Sequence, residues 1–121
     1  ITSTSVRQPV NNLDTSNVLR PGATALAKTL AIELAPRIRV NSLAPGRINT
    51  DRIRSLDKIR AESVGITQEQ AAAESSKAIP FGRYGEPSEF GAFAAFLLSP
   101  AASYVSGLAA HADGAMTTAL P

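Results

Sequence analysis

Residues 38–50 read Ile-Arg-Val-Asn-Ser-Leu-Ala-Pro-Gly-Arg-Ile-Asn-Thr, and this stretch decides the fold. Its apolar run has the length of a buried strand rather than a helix. Pro45 cannot donate to a sheet ladder and Gly46 tolerates unusual backbone angles, so we expect the strand to end there. Ligands of open α/β sheets collect at such strand ends, and a helix beginning beyond Thr50 offers free N–H groups to a phosphate. An ordinary strand, turn and helix without a ligand fits the pattern equally well.

The composition argues against several classes of function. The chain has 121 residues, 44% of them hydrophobic and 18% charged, which is typical of one globular domain or part of one. A net charge of +2, with two Tyr and four Phe, gives no support for a nucleic-acid partner. There is no cysteine and a single histidine, His111, so we predict no metal site and a packed role for His111.

No apolar run reaches the roughly 18 residues that a membrane-spanning helix needs. We therefore expect no membrane partner and a cytoplasmic location. The sequence opens Ile-Thr-Ser-Thr-Ser without Met, which favours a segment of a longer protein.

Helical periodicity dominates the first third of the chain. Leucines recur every fourth residue from Leu26 to Leu34, beside a stripe of alanines that lets the sheet or another helix approach closely. Pro21 is predicted at the first helical position, the alternative being a kink in a helix that begins near Ser16. In that alternative Asp14, Thr15 or Ser16 would cap the helix.

Three further helices and one strand are predicted after residue 50. A polar helix covers residues 51–61 with its charges facing solvent, and Thr67 and Gln70 form a capping box for the next. Pro87 begins a third helix, whose inner side would carry Phe90, Phe93, Ala94, Leu97 and Leu98. Residues 108–112 form a short apolar strand. Strands joined through helices are parallel, so the order predicts an α/β fold, the C-terminal half of a doubly wound α/β domain.

Four segments in this order resemble the short-chain dehydrogenase/reductase family, most closely its 3-oxoacyl-(acyl carrier protein) reductase-like members. They are residues 26–35, 38–46, 82–89 and 102–107, the last followed by Asp113-Gly114. The resemblance covers essentially the whole chain. It implies a single Rossmann-like domain with a doubly wound parallel sheet in three α/β/α layers. Residues 1–121 would be its C-terminal part, and the N-terminal half with the glycine-rich fingerprint is absent from this sequence.

The resemblance also implies where a cofactor lies. NAD or NADP, with NADP slightly favoured, would lie against Pro45 and Gly46. The backbone of Ile48 would face the nicotinamide amide, and the Thr50 hydroxyl would contact the amide or the pyrophosphate. The helical stretch after Thr50 resembles the family's mobile substrate lid.

Catalysis in the family uses a Ser, a Tyr and a Lys four residues after the Tyr. The match places Ser16 at the Tyr position and Arg20 at the Lys position, and Ser3 precedes Ser16 by the family's usual separation. Ser3 would orient the substrate and Arg20 would contact the ribose. Serine is a weaker acid than the tyrosine phenol, whose pKa is about 10, and its side chain is shorter. The substitutions therefore change both the acid of the usual mechanism and its partner.

The resemblance implies an NAD(P)-dependent oxidoreductase acting on a carbonyl or alcohol, such as a 3-oxoacyl thioester. Its partners would be that small-molecule or acyl-thioester substrate, the missing N-terminal half and further copies in a homodimer or homotetramer. The alternative is a non-catalytic relative that binds nucleotide or serves in assembly, since Ser16 and Arg20 replace the Tyr and Lys.

Overall fold

The structure is a computed structural model that describes residues 1–119, and the predicted helices and strands are all present in it. Two 3-10 turns, Thr4–Val6 and Pro100–Ala102, accompany them. In chain order the elements are α1 (Asp14–Glu33), β1 (Ser42–Pro45), α2 (Asp51–Val64), α3 (Gln68–Lys77), α4 (Pro87–Leu98) and β2 (Ala109–Ala112).

The two strands pair in parallel, as predicted, with Ser42 opposite Ala109 and Pro45 opposite Ala112. On the other side of β1, the Thr2 N–H donates to the Leu43 carbonyl at 2.9 Å. Strand β1 is thus bonded on both sides, and the first residues of the chain take the position of a third strand.

Helices cover both faces of this sheet. Ser42 and Ala109 line a cavity with Thr24 and Ala27 of α1. Ala112, three residues beyond Ala109 and so on the opposite face, lines a cavity with Phe90 of α4. This arrangement gives the α/β/α layering that the sequence predicts.

Helix α1 differs from the prediction at its start. It begins at Asp14, so Pro21 lies inside the helix rather than at its first position, and Leu13 occupies the cap without a side-chain bond. Two tertiary contacts hold the early turns: the Asn17 amide bonds both backbone groups of Val10, and Ser16 contacts Ser5. Because these contacts hold the early turns, the helix continues although Pro21 has no N–H to donate to the preceding turn.

The small residues Ala27 and Ala31 of α1 face the sheet, whereas Leu26 faces away from it. Ala31 is buried, but Leu26 is 58% exposed. The predicted inner side of α4 is also wrong at Leu98, which is 83% exposed, while Leu97 is buried. Large apolar side chains therefore remain uncovered on both helices, including Val18, Leu19, Ile32 and Phe96.

The caps of α2, α3 and α4 follow the sequence signals. The Thr50 hydroxyl accepts the Ile53 N–H, Gly65 ends α2 at φ 72°, and the Thr67 capping box is present with both of its bonds. Helix α4 begins at Pro87, where Glu89 accepts the Glu86 N–H at 2.7 Å.

Arg39 stabilises the other end of α4. Its guanidinium donates to the carbonyls of Leu97, Leu98 and Ser99 at 2.6, 3.3 and 3.2 Å. A cation at a helix C-terminus satisfies carbonyls that lack partners within the helix. Arg39, three residues before β1, thus attaches the end of α4 to the segment that leads into the sheet.

The close approach of Gly46 to β2 predicts the effect of one substitution. A Cβ at Gly46 would lie 2.6 Å from the Asp113 Cα and 2.7 Å from its Cβ, both too near to relax by side-chain rotation. We expect Gly46→Ala to destabilise the full-length protein by about 1–3 kcal/mol in urea unfolding. Gly22→Ala is the control, because nothing lies within 4 Å of a Cβ there and a helical alanine adds about 0.5–1 kcal/mol. Equal losses in both variants would contradict the packing argument.

The Arg83–Glu89 pair predicts a measurable titration. The pKa of Glu89 is lowered from 4.5 to about 2. The main cause is the pair of hydrogen bonds from Arg83, at 2.8 and 2.7 Å, and the hydrogen bond from the Glu86 N–H is the second. Because the folded-state pKa is depressed, the pair's contribution to stability is present above pH 4.5 and is lost as the pH falls toward 2. NMR titration of the Glu89 carboxyl should give this pKa in the parent.

In the same titration, Arg83→Gln should raise the pKa of Glu89 and the distant Arg52→Gln should leave it unchanged. A parent value near 4.5 would show that the pair does not form in solution.

Candidate functional site

The candidate site lies at the carboxyl end of β1. The Gly46 N–H donates to the Ala112 carbonyl at 2.9 Å, which continues the ladder one residue past Pro45. Its contact with Asp113 leaves no room for a side chain. Glycine at this position is therefore required by strand packing, whatever it also does for a ligand.

The backbone N–H and carbonyl of Ile48 are placed so that they could bind a ligand. Ile48 forms a parallel bridge with Gly85, whose N–H donates to the Arg47 carbonyl at 2.9 Å and whose carbonyl accepts the Asn49 N–H at 2.8 Å. Bonds from both neighbours turn the N–H and carbonyl of Ile48 away from Gly85. Within residues 1–119, neither of these two groups has a hydrogen-bond partner. The turn thus presents one donor and one acceptor at a fixed position.

Thr50 is already part of a helix cap. Its hydroxyl oxygen accepts the Ile53 N–H at 3.4 Å. A hydroxyl carries one hydrogen as well as its acceptor sites, so Thr50 can still donate to an anion at the start of α2. The N-cap role of Thr50 is confirmed, and a ligand contact is compatible with it.

Ser3, Ser5 and Ser16 form a group of hydrogen-bonded serines, the serine cluster, and the sequence analysis did not predict Ser5 as a member. Ser16 lies in α1 with its hydroxyl 3.0 Å from that of buried Ser5. The Ser5 hydroxyl also lies 3.3 Å from the Ser16 carbonyl. Ser3 instead accepts the Ser5 N–H at 3.2 Å and caps the 3-10 turn Thr4–Val6. No pattern in the sequence indicates Ser5, because its contact with Ser16 depends on how this turn packs against α1.

Arg20 lies one helical turn after Ser16 and is exposed. Its guanidinium donates to the Ile1 carbonyl at 3.3 Å, so it reaches across to the residues beside β1. Its remaining N–H groups stay available to a polar ligand.

A cavity of about 160 Å³ lies beside the turn, on the α4 side of the sheet. Ile48 is the one predicted site residue among its lining, which also includes Phe81, Gly85 and Phe90. The serine cluster and Arg20 do not line this cavity. The predicted residues thus form two groups, the turn at 45–50 and the cluster on α1.

His111 occupies the middle of β2, as the prediction of a packed histidine requires. Its Nε2 is buried and has no hydrogen-bond partner in the part of the chain that the structure describes. Burial lowers the pKa of His111 below 6.5, so the ring is neutral at pH 7. Within residues 1–119 no group of three or more His, Asp or Glu side chains is arranged to hold a metal ion.

Comparison with known proteins gives one consistent result. A family model described as enoyl-(acyl carrier protein) reductase matches residues 1–117. The chain is 43% identical over 99 residues to 3beta-hydroxysteroid dehydrogenase 1 of Eggerthella lenta, covering 81% of this chain and 34% of that protein. It is 35% identical over 109 residues to the NADPH-dependent reductase BacG of Bacillus subtilis, covering 89% of this chain and 42% of that one.

Among solved structures, L-sorbose reductase from Gluconobacter frateurii, complexed with NADPH and L-sorbose, superposes with a TM-score of 0.91 at 30% identity. The match covers 98% of this chain and 46% of that one, so the chain spans less than half the length of these relatives. None of the helices within residues 1–119 combines the length and apolar character needed to cross a bilayer. The match over nearly every residue confirms the resemblance seen in the sequence: the chain belongs to the short-chain dehydrogenase/reductase family.

Proposed function

We propose that the protein is an NAD(P)-dependent oxidoreductase, with NADP(H) favoured, that acts on a carbonyl or alcohol substrate such as a 3-oxoacyl thioester. Residues 1–121 would be the C-terminal part of one Rossmann-like domain. The observation that carries the proposal is the pair of unpartnered backbone groups at Ile48, held at the carboxyl end of β1. Two relatives support the choice of cofactor: BacG is an NADPH-dependent reductase, and the L-sorbose reductase structure contains NADPH.

The cofactor-facing residues suit a nicotinamide nucleotide. A carboxamide offers one carbonyl acceptor and an NH₂ donor, which match the N–H and carbonyl of Ile48. Thr50 and the first N–H groups of α2 suit a pyrophosphate, and Pro45 and Gly46 would form the surface beneath the ring. When bound, the nicotinamide supplies or accepts the hydride.

The chain's own residues must then handle the proton. In the reducing direction the substrate oxygen gains a proton, and Ser16 is the hydroxyl at the position that resembles the family's acid. Ser5, at 3.0 Å, can donate a hydrogen bond to Ser16 after the transfer, until water returns the proton that Ser16 has given up, and Ser3 would orient the substrate. Arg20 carries a fixed positive charge that can hold ribose hydroxyls and favour a deprotonated hydroxyl nearby.

A non-catalytic relative is the second candidate, and the serine cluster is the observation that favours it. The Ser16 hydroxyl already has Ser5 as a partner, and serine is a far weaker acid than the phenol it replaces. In this case the turn at 45–50 would bind nucleotide without turnover, or the fold would serve assembly.

We extend the proposal to a cytoplasmic homodimer or homotetramer. Large exposed apolar side chains on α1 and α4 support assembly, because packing them against a second copy would remove them from water. On α1 these are Val18, Leu19, Leu26 and Ile32, and on α4 they are Phe96 and Leu98.

Ser16 is the substitution that separates the two candidates. In the full-length protein we expect NADPH to bind, measured by nicotinamide fluorescence, and a short 3-oxoacyl thioester to be reduced, measured at the nicotinamide absorbance band. Ser16→Ala should lower kcat about 10²-fold, the scale of a lost general acid, with the NADPH Kd unchanged. Thr15→Ala is the control, because the neighbouring Thr15 is exposed.

Binding without turnover in the parent would support the non-catalytic relative. Full turnover in Ser16→Ala would exclude Ser16 as the proton donor. Failure to bind either NADPH or NADH would overturn both cofactor-based candidates.

A further inference from the structure

The sequence-based prediction that Asp57 faces solvent is wrong. The charges of residues 51–62 were expected to face solvent, but Asp57 is only 2% exposed and is the one charged residue buried within residues 1–119. Removing a carboxylate from water is costly unless charged or hydrogen-bonding groups compensate it. Burial of Asp57 on an otherwise polar surface helix therefore requires specific partners.

Tyr84 and Arg47 supply those partners. The Tyr84 hydroxyl lies 3.0 and 2.9 Å from the two Asp57 carboxylate oxygens, and an Arg47 nitrogen lies 3.6 Å from one of them. Burial raises the pKa of Tyr84 above 10, and the Asp57 carboxylate raises it further. The phenol thus stays protonated at neutral pH and remains a donor. We call Arg47, Asp57 and Tyr84 the carboxylate cluster.

Two residues of the carboxylate cluster lie next to the bridge between Ile48 and Gly85. Arg47 precedes Ile48, and Tyr84 precedes Gly85, the residue that bridges to Ile48. Asp57 therefore holds both sides of this bridge, one through a charge and the other through a phenol.

Asp57 also attaches the α2–α3 pair to this segment. Arg60 of α2 donates to Ser75 and Glu74 of α3 at 2.9 and 2.8 Å, so the two helices hold together. The Arg54 contact with Asn49 is exposed to solvent, whereas Asp57 is buried. Buried, charge-assisted hydrogen bonds are stronger than exposed ones, so Asp57 is the main polar attachment between the pair and the turn.

We propose that Asp57 is a positioning residue for the nicotinamide end of the cofactor, acting through Tyr84 and Arg47 on the backbone of Ile48. This role rests on the proposed function, because it requires a cofactor at the turn. Its mechanical part, the attachment of α2–α3 to residues 47–50, can be measured on the protein without any ligand.

The first measurement is hydrogen exchange of the full-length protein without cofactor. In Asp57→Asn and Tyr84→Phe, the two bridge amides that donate hydrogen bonds, those of Asn49 and Gly85, and the amides of α2 should exchange at least about tenfold faster than in the parent, with β2 and α4 unchanged. Asp51→Asn is the matched control: Asp51 is also a carboxylate of α2 bonded to an arginine, but its side chain is 98% exposed. The control should exchange like the parent.

The second measurement separates positioning from general destabilisation. Because Ile48 would face the nicotinamide amide, both cluster variants should weaken binding of NADPH or NADH about fivefold, the scale of one hydrogen bond. Binding of ADP-ribose or its 2′-phosphate, which lack the nicotinamide, should stay within about twofold of the parent. Tyr84→Phe added to Asp57→Asn should cause little further loss, because the two residues act as one unit.

Four outcomes would overturn the inference. Exchange that is unchanged, or faster throughout the protein, would mean that the cluster does not specifically hold the turn. Equal losses for the nicotinamide nucleotides and ADP-ribose would mean a general defect of the site. A parent that binds ADP-ribose but no nicotinamide nucleotide would overturn the proposed function and the positioning role together, whereas normal parent binding with unaltered variants would overturn the positioning role alone.

Discussion

The backbone bridge between Ile48 and Gly85 is the interaction on which the candidate site depends. Gly85 donates one hydrogen bond to Arg47 and accepts one from Asn49, the residues on either side of Ile48. These two bonds fix the direction of the N–H and carbonyl of Ile48. The bridge forms because β1 ends at Pro45 and the chain leaves the sheet beside the connector that leads to α4. A site built on backbone groups in this way needs little from the side chain of Ile48 itself.

The same region shows how a buried charge can organise a surface helix. Helix α2 is mostly polar, and Leu56 and Ile59 on it are 43% and 61% exposed. Ala61 is the one buried apolar residue of α2, so apolar burial makes only a small contribution to its attachment. The Asp57 carboxylate, held by Tyr84 and Arg47, gives the helix a single preferred position, because any other position would leave a desolvated charge without partners.

The proton donor proposed for this chain differs from the tyrosine that the family uses, because Ser16 of the serine cluster stands at that position. Ser16 and Arg20 retain a hydroxyl and a positive charge one helical turn apart, but the hydroxyl is a much weaker acid than a phenol. The structure adds Ser5 as a second hydroxyl at hydrogen-bond distance from Ser16. Whether this pair moves a proton or only closes the start of α1 is the question that distinguishes the two proposed functions.

The sequence by itself determined the order of elements, the caps at Thr50 and Thr67, the start of α4 at Pro87, and the parallel pairing of the strands. These features depend on local chemistry: hydroxyl caps, proline geometry, left-handed glycine and the connection between strands. Only the tertiary structure decided that Pro21 lies within α1, that Ser5 rather than Ser3 meets Ser16, and that Asp57 is buried. Each of these depends on contacts between residues distant in sequence, whose energies exceed local preferences and leave no periodic trace along the chain.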